Sequence, residues 1–373
     1  MMMLALLTIV CAGGVAWANG ANDVSKGVAT LVGSRLASYR QGLSWGTTWT
    51  VAGAVVALVF TTTLLRTFST ALVTGSFVES ALFPLSVATG AFAWVLIASR
   101  TGLPVSTTHS LAGAIVGAAV AAAGVHGVKW TLVLSSVAVP LAFSPILAGG
   151  MAYLLHAVAS RRLSAAARYC VCVVERPLIS LPATLDGMAA ASRAATLPMV
   201  LVDRAQVCSQ VERLSGVRVT DAAHWLTSAI LSFARGLNDT PKIVALGVAS
   251  AMSAGVGAAP LYFLAAAAMG AGSLLAGRRV TRTLAERVTD VDPLEGLAAS
   301  AVAAVLVLTA SFVALPVSTT HVATGAIVGA GLGDGSRAVR WDTVSSVVAA
   351  WIITLPVSAV VSAGVWWLGA QAR

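Results

Sequence analysis

The sequence predicts an all-α polytopic membrane protein of two homologous halves, with about 10–12 membrane segments, some of them broken or re-entrant. Three observations predict it. The 373 residues are 58 % hydrophobic and 10 % charged, at a mean hydropathy of +0.89, too little charge to keep a soluble surface wet. The apolar stretches reach the roughly 20 residues that a bilayer core requires, and most are apolar on every face, unlike surface helices. Two polar motifs also recur in the same order. LPVSTTHSLAGAIVGA occupies 103–118 and LPVSTTHVATGAIVGA occupies 315–330, while Gly20-Ala21-Asn22-Asp23 is matched by Gly236-Leu237-Asn238-Asp239. An internal duplication follows, with halves at 1–159 and 221–373 and a linker at 160–220.

Residues 1–18 imitate a signal peptide, with Ala16-Trp17-Ala18 like a cleavage site, but they lack a basic leader. Their counterpart around His224–Ala234 is internal, so they read as a retained membrane helix leading into the first motif. Gly20 and Gly236 suit an unwound break, after which Asn22, Asp23 and Lys26 share one face of the next helical segment. Pro241, two residues after Asp239, fits a helix start better than an interior. Apolar runs follow at 48–65 and 84–99. Pro104 then opens a helix whose first turn holds Ser106, Thr107 and Thr108, followed by small residues suited to close packing. The apolar run 130–158 is interrupted at Pro140 and at Ser144-Pro145. The linker carries eight arginines against four acids, which places it in the cytoplasm, where short amphipathic helices are expected. The second half repeats the order: 222–234, the Asn238-Asp239 motif, apolar segments over 243–276, a charged segment at 280–295, an apolar run at 297–314, the second Ser-Thr-Thr motif, and a last run at 343–369 broken at Pro356.

The net charge of +9 is no nucleic-acid signal, because the basic residues are scattered between apolar runs. The four cysteines, Cys11, Cys170, Cys172 and Cys208, lack metal-ligand spacing and read as unpaired, reduced thiols. No cofactor loop is present. The acids carry more information: Asp23 and Glu79 are the only ones before residue 160, and two of the three lysines, Lys26 and Lys242, belong to the repeated motif. Charge in apolar surroundings marks function.

A carrier needs a polar site near the midplane, and broken helices supply one. Backbone N–H groups and hydroxyls at Ser106, Thr107, Thr108 and at Ser318, Thr319, Thr320 suit a tetrahedral oxyanion at a helix N-terminus. Asn22, Asp23, Asn238 and Asp239 offer oxygens for a hard cation or a proton. Each reading has a structural competitor. The aspartates also fit ion pairs with Lys26 and Lys242, the hydroxyls fit helix caps, and His109 and His321 fit buried neutral imidazoles as well as proton relays.

Four motif instances, in order over essentially the whole chain, resemble the inorganic phosphate transporter family. The resemblance implies inverted repeats, a homodimer in the cell (inner) membrane, and symport of inorganic phosphate with sodium or protons. It assigns Asn22, Asp23, Asn238 and Asp239 to ion and substrate, the two aspartates as sodium ligands if sodium is the ion, and the six hydroxyl residues to the anion. Lys26, Lys242, His109 and His321 support them, and no cofactor beyond the coupling cation is implied. Sodium-coupled members commonly carry a glutamate between the motifs of each half. The matching neighbourhoods, around Thr50 and Ser300, hold none, and Arg235 stands where the first copy has Asn19. These departures leave a sulfate or other oxyanion permease as the alternative. An intramembrane aspartyl hydrolase gives the Ser-Thr-Thr turns no task, and a channel would need a continuous pore.

Overall fold

Helices dominate because a segment in lipid must satisfy its own backbone hydrogen bonds. The computed structural model describes residues 2–60, 62–166, 169–177, 196–204, 213–253 and 255–372. The first half contributes α1 (Met2–Gly33), α2 (Tyr39–Phe60), α3 (Leu82–Thr101), α4 (Thr107–Ala123) and α5 (Val139–Ala166). The second contributes α6 (Val219–Ser253), α7 (Ala259–Ala276), the short α8 (Arg278–Glu286), α9 (Pro293–Phe312), α10 (Thr319–Gly331) and α11 (Trp341–Gln371).

Eight of the described helices are long and apolar enough to cross a membrane, fewer than the ten to twelve expected. Two further helices fall outside that count by their charge or their length. The 35-residue α6 carries Asp221, Arg235, Asp239 and Lys242, and α10 has only 13 residues.

Met1–Ala157 and His224–Arg373 form one unit, and Val158–Ala223 forms another. Among the described residues of the second unit, an antiparallel sheet stands where short amphipathic helices were expected. β1 (Tyr169–Pro177) lies between β2 (Thr196–Arg204) and β3 (Arg213–Arg218). Alternating Val and Cys residues in β1 suit a strand. That period-2 alternation puts Cys170 and Cys172 on one face with their sulfurs 3.3 Å apart, so the unpaired reading does not hold for these two. Arg168, Asp186, Arg193, Cys208 and Glu212 of the linker reading lie outside the described residues.

In the larger unit the halves interlock through glycine seams. A Cβ at Gly20 would stand 2.0 Å from the Met269 carbonyl oxygen, and one at Gly236 2.1 Å from that of Thr50. Thus α1 crosses α7, and α6 crosses α2, at backbone contact. These glycines were expected to mark unwound breaks, but α1 and α6 run through them unbroken; their role is close approach. Pro241, likewise, lies inside α6 rather than at a start. Pro145 and Pro356 interrupt neither α5 nor α11, since neighbouring helices in a bundle tolerate interior prolines.

The breaks occur between α3 and α4 and between α9 and α10. Each pair forms a hairpin whose root is tied by one antiparallel bridge, Val73 to Val128 and Thr289 to Val339. The second helix of each hairpin packs on the last helix of the other half. Gly113 and Gly117 face the Leu355 and Ala359 carbonyls, while Gly325 and Gly329 face those of Pro145 and Gly149.

Candidate functional site

At the hairpin tips the chain is extended, and the helices begin at Thr107 and Thr319, three residues after the prolines that were expected to open them. Ser106 and Ser318 are the N-caps, each accepting from the backbone N–H three residues on, His109 and His321, at 3.2 Å. One hydroxyl per turn therefore caps its helix. The tips meet through a crossed pair of hydrogen bonds. Thr320 donates to the Val105 carbonyl at 2.8 Å, and Thr108 donates to the Val317 carbonyl at 3.4 Å. Behind them the imidazoles of His109 and His321 pack edge to face, centroids 4.5 Å apart.

Helices α1 and α6 bring the other motif to the same place. Asn22 and Lys26 lie one turn apart, and the Lys26 ammonium donates to Asn22 Oδ1 at 2.7 Å and to Asp23 Oδ1 at 2.5 Å. The Asn22 amide reaches the first tip, donating to the Leu103 carbonyl at 2.9 Å and accepting from the Val105 N–H at 3.1 Å. In the second copy Lys242 donates to Asn238 Oδ1, to Asp239 Oδ1 at 3.3 Å, to Thr108 Oγ1 at 2.9 Å and to the Val317 carbonyl at 3.2 Å. Both lysine–aspartate pairs thus exist as ion pairs, and Lys242 also spans both tips. All these side chains are buried.

The structure adds residues that the sequence reading left outside the site. Asn19 donates to Asp23 Oδ2 at 3.0 Å, to Asp239 Oδ2 at 3.2 Å and to Thr107 Oγ1 at 3.0 Å, so one amide links the two aspartates and a tip. Arg235, fully buried, donates to Asn19 Oδ1 at 3.2 Å and to Thr50 Oγ1 at 2.7 Å. Ser99 and Ser311 accept from the amides of Asn22 and Asn238 at 3.3 and 3.1 Å. Both signals were available. A guanidinium inside an apolar stretch is costly, and Ser99 and Ser311 recur at the spacing of the Ser-Thr-Thr motifs. The expected match of Thr50 with Ser300 is corrected. Ser300 bonds Thr227 at 2.6 Å, and Met269 takes the place of Thr50 at the equivalent helix crossing. Neither Glu79 nor Glu295 takes the place of the expected glutamates: Glu79 is exposed, and Glu295 is buried at the root of the second hairpin.

A cavity of about 620 Å³ adjoins the site, with Trp17, Ser99, Arg100, Arg278, Arg279 and Arg282 in its wall. Ser99 belongs both to this wall and to the Asn22 amide's partners, so the cavity reaches the edge of the buried network. Four guanidinium groups give it a field that concentrates anions. Glu286, also in its wall, accepts from the Tyr39 hydroxyl, and that bond holds its carboxyl below the usual carboxylate range.

Residues 19–362 match the phosphate transporter family. The chain is 26 % identical over 373 residues to the "Probable low-affinity inorganic phosphate transporter" of Bacillus subtilis, covering 97 % of this chain and 96 % of that one. It is 28 % identical over 375 residues to the protein of the same name from Mycobacterium leprae, covering 98 % and 78 %. A solved structure titled "The sodium-dependent phosphate transporter" shares the fold over the whole of both chains, with a TM-score of 0.77 at 23 % identity.

Proposed function

The chain belongs to the phosphate transporter family, a family of transporters rather than hydrolases, and from that premise we propose that it carries inorganic phosphate across the cell membrane. It does so by symport with a cation, sodium or proton, through alternating access to one central site, as a homodimer of chains with inverted halves.

The observation that carries this reading is the tip-to-tip meeting of the two Ser-Thr-Thr turns beside a buried charge network. Two helix N-termini converge there, and each has free backbone N–H groups and a positive dipole end. Five ionisable side chains surround them: Asp23 and Asp239 against Lys26, Lys242 and Arg235. With all five ionised, the two lysine–aspartate pairs cancel and Arg235 remains as a surplus positive charge. An uncompensated charge in this setting is costly, and a bound oxyanion relieves it. Thr107, Thr108, Thr319 and Thr320 serve the anion, while Ser106 and Ser318 hold the turns in shape. Asp23 and Asp239 take the coupling cation, as sodium ligands or proton acceptors, with Asn22 and Asn238 holding the lysines in place. The arginine-lined cavity then serves as a vestibule through which the anion enters or leaves.

Radiolabelled phosphate uptake into proteoliposomes tests this, with a sodium gradient and a proton gradient imposed separately and excess sulfate as competitor. Saturable uptake driven by one of the gradients and resistant to sulfate is expected. The driving gradient identifies the ion. Sulfate uptake without phosphate uptake would overturn the substrate, and unsaturable flux indifferent to both gradients would overturn symport.

A further inference from the structure

The root of the second hairpin carries a cluster that the transport site does not use. His156 near the end of α5, Glu295 in the first turn of α9 and Asp334 just after α10 bring one imidazole nitrogen and two carboxylate oxygens within 4.8 Å of one another. His156 Nε2 lies 3.6 Å from Asp334 Oδ1. His156 and Glu295 are 5 % and 2 % exposed; His156 Nδ1 has no hydrogen-bond partner, and the Glu295 carboxyl is within side-chain hydrogen-bonding reach of Asp334. Glu295 Oε2 accepts from the Asp292 N–H at 2.8 Å in a capping box. Among the described residues neither carboxylate has a Lys or Arg ion-pair partner. Within hydrogen-bonding reach of each other, the Glu295 and Asp334 carboxyls must either share a proton or hold a cation between them.

We propose that His156, Glu295 and Asp334 form a divalent transition-metal site that staples the root of the α9–α10 hairpin to α5. The donor set fixes the class of ion. One imidazole with two carboxylates suits zinc, manganese, cobalt or nickel, whereas magnesium favours oxygen ligands and retained water. A tetrahedral site with ligand bonds of about 2.0–2.2 Å holds its donor atoms roughly 3.3–3.6 Å apart, and His156 Nε2 and Asp334 Oδ1 already stand at 3.6 Å. Asp334 is exposed, so its carboxylate is free to turn toward the ion and to admit it from water.

The other hairpin supports the assignment by contrast. Phe83 stands at the position of Glu295 in the first copy. Its ring meets Trp366 of α11, centroids 6.4 Å apart, and Phe77 at 5.2 Å. Trp366 lies on the helix that packs against the first hairpin as α5 packs against the second. One root is therefore closed by three aromatic rings, and its counterpart places metal-ligand chemistry at the same place. The staple would extend the seam that runs through Pro145–Gly325 and Gly149–Gly329, where backbones already touch.

The test uses the purified full-length protein, stripped with a chelator and titrated with Zn2+, Mn2+, Co2+ or Mg2+ without phosphate. Metal analysis is expected to give one tightly held Zn2+ or Co2+ per chain, with a raised unfolding temperature and cobalt absorption bands typical of a nitrogen- and oxygen-ligated site. Mg2+ should bind at least tenfold more weakly. Asp334→Asn changes an exposed side chain and should keep the metal-free unfolding temperature while losing at least tenfold in affinity; His156→Gln should lose the cobalt bands. Unchanged binding in Asp334→Asn and His156→Gln would overturn the assignment, as would no binding of any transition metal at millimolar concentration. The measurement needs no transport, so it stands or fails separately from the phosphate reading.

Discussion

The two hairpins carry nearly the same tip on different roots. At the tips, 103–118 and 315–330 repeat almost residue for residue, and each tip's threonine bonds the other's carbonyl. At the roots, Phe77, Phe83 and Trp366 close one hairpin, whereas His156, Glu295 and Asp334 lie at the other. The difference follows from what each region contacts. The tips build one site together, so a change in one disturbs the partner of the other. Each root touches only its own surroundings and is free to use aromatic packing in one copy and polar ligands in the other. The same logic separates Asn19 from Arg235. They occupy matching positions but face different partners, Asn19 the aspartates and Arg235 the Asn19 and Thr50 oxygens.

The strongest way to break the comparison is to remove one carboxylate. Asp23→Ala or Asp239→Ala leaves a buried cation without its partner, an effect of about 3–5 kcal/mol, so each should lower uptake more than 100-fold while the protein still inserts. A wild-type rate in either variant would remove the aspartates from the mechanism, and a loss in only one would show that the copies do different work. Next come the seams. Gly113→Ala and Gly325→Ala place a Cβ 2.4 and 2.3 Å from a facing carbonyl oxygen, and overpacking of this kind costs about 1–3 kcal/mol. Thermal unfolding should show similar losses for both, because the two seams are built alike; an unchanged unfolding temperature would mean the helices separate freely.

Arg235→Asn gives the second copy the residue of the first and removes the surplus charge. The KM for phosphate should rise about tenfold, the weight of one charged contact. An unchanged KM would assign the anion to the turns alone. The smallest effect is expected at the caps. Ser106→Ala and Ser318→Ala should each cost about 1 kcal/mol of stability, equally in both copies, read from chemical or thermal unfolding. A much larger loss of uptake from either would place that serine against the substrate.

Much of this architecture was legible in the chain. The duplication, the membrane class and the four motifs are statements about composition and spacing, and low charge with long apolar runs admits few other folds. Other features were misread because local signals serve more than one purpose. Gly20 and Gly236 look like breaks, yet they are contacts, since a missing side chain allows both a turn and a close helix approach. Pro145, Pro241 and Pro356 look like ends, yet each is inside a helix. Cys170-Val171-Cys172 looked incidental until a strand, rather than a helix, put both sulfurs on one side.

The sequence by itself determined that two equivalent sets of polar groups exist in an apolar chain, because repetition and the cost of burying charge can be read from residue order. Only the tertiary structure decided how the sets combine. It crossed the two tips, brought Asn19 between aspartates 216 positions apart, matched Thr50 with Met269 instead of Ser300, and gathered His156, Glu295 and Asp334 from three separate elements. Those partnerships depend on which helix faces which. That choice is made by packing between distant segments, and no local pattern of residues encodes it.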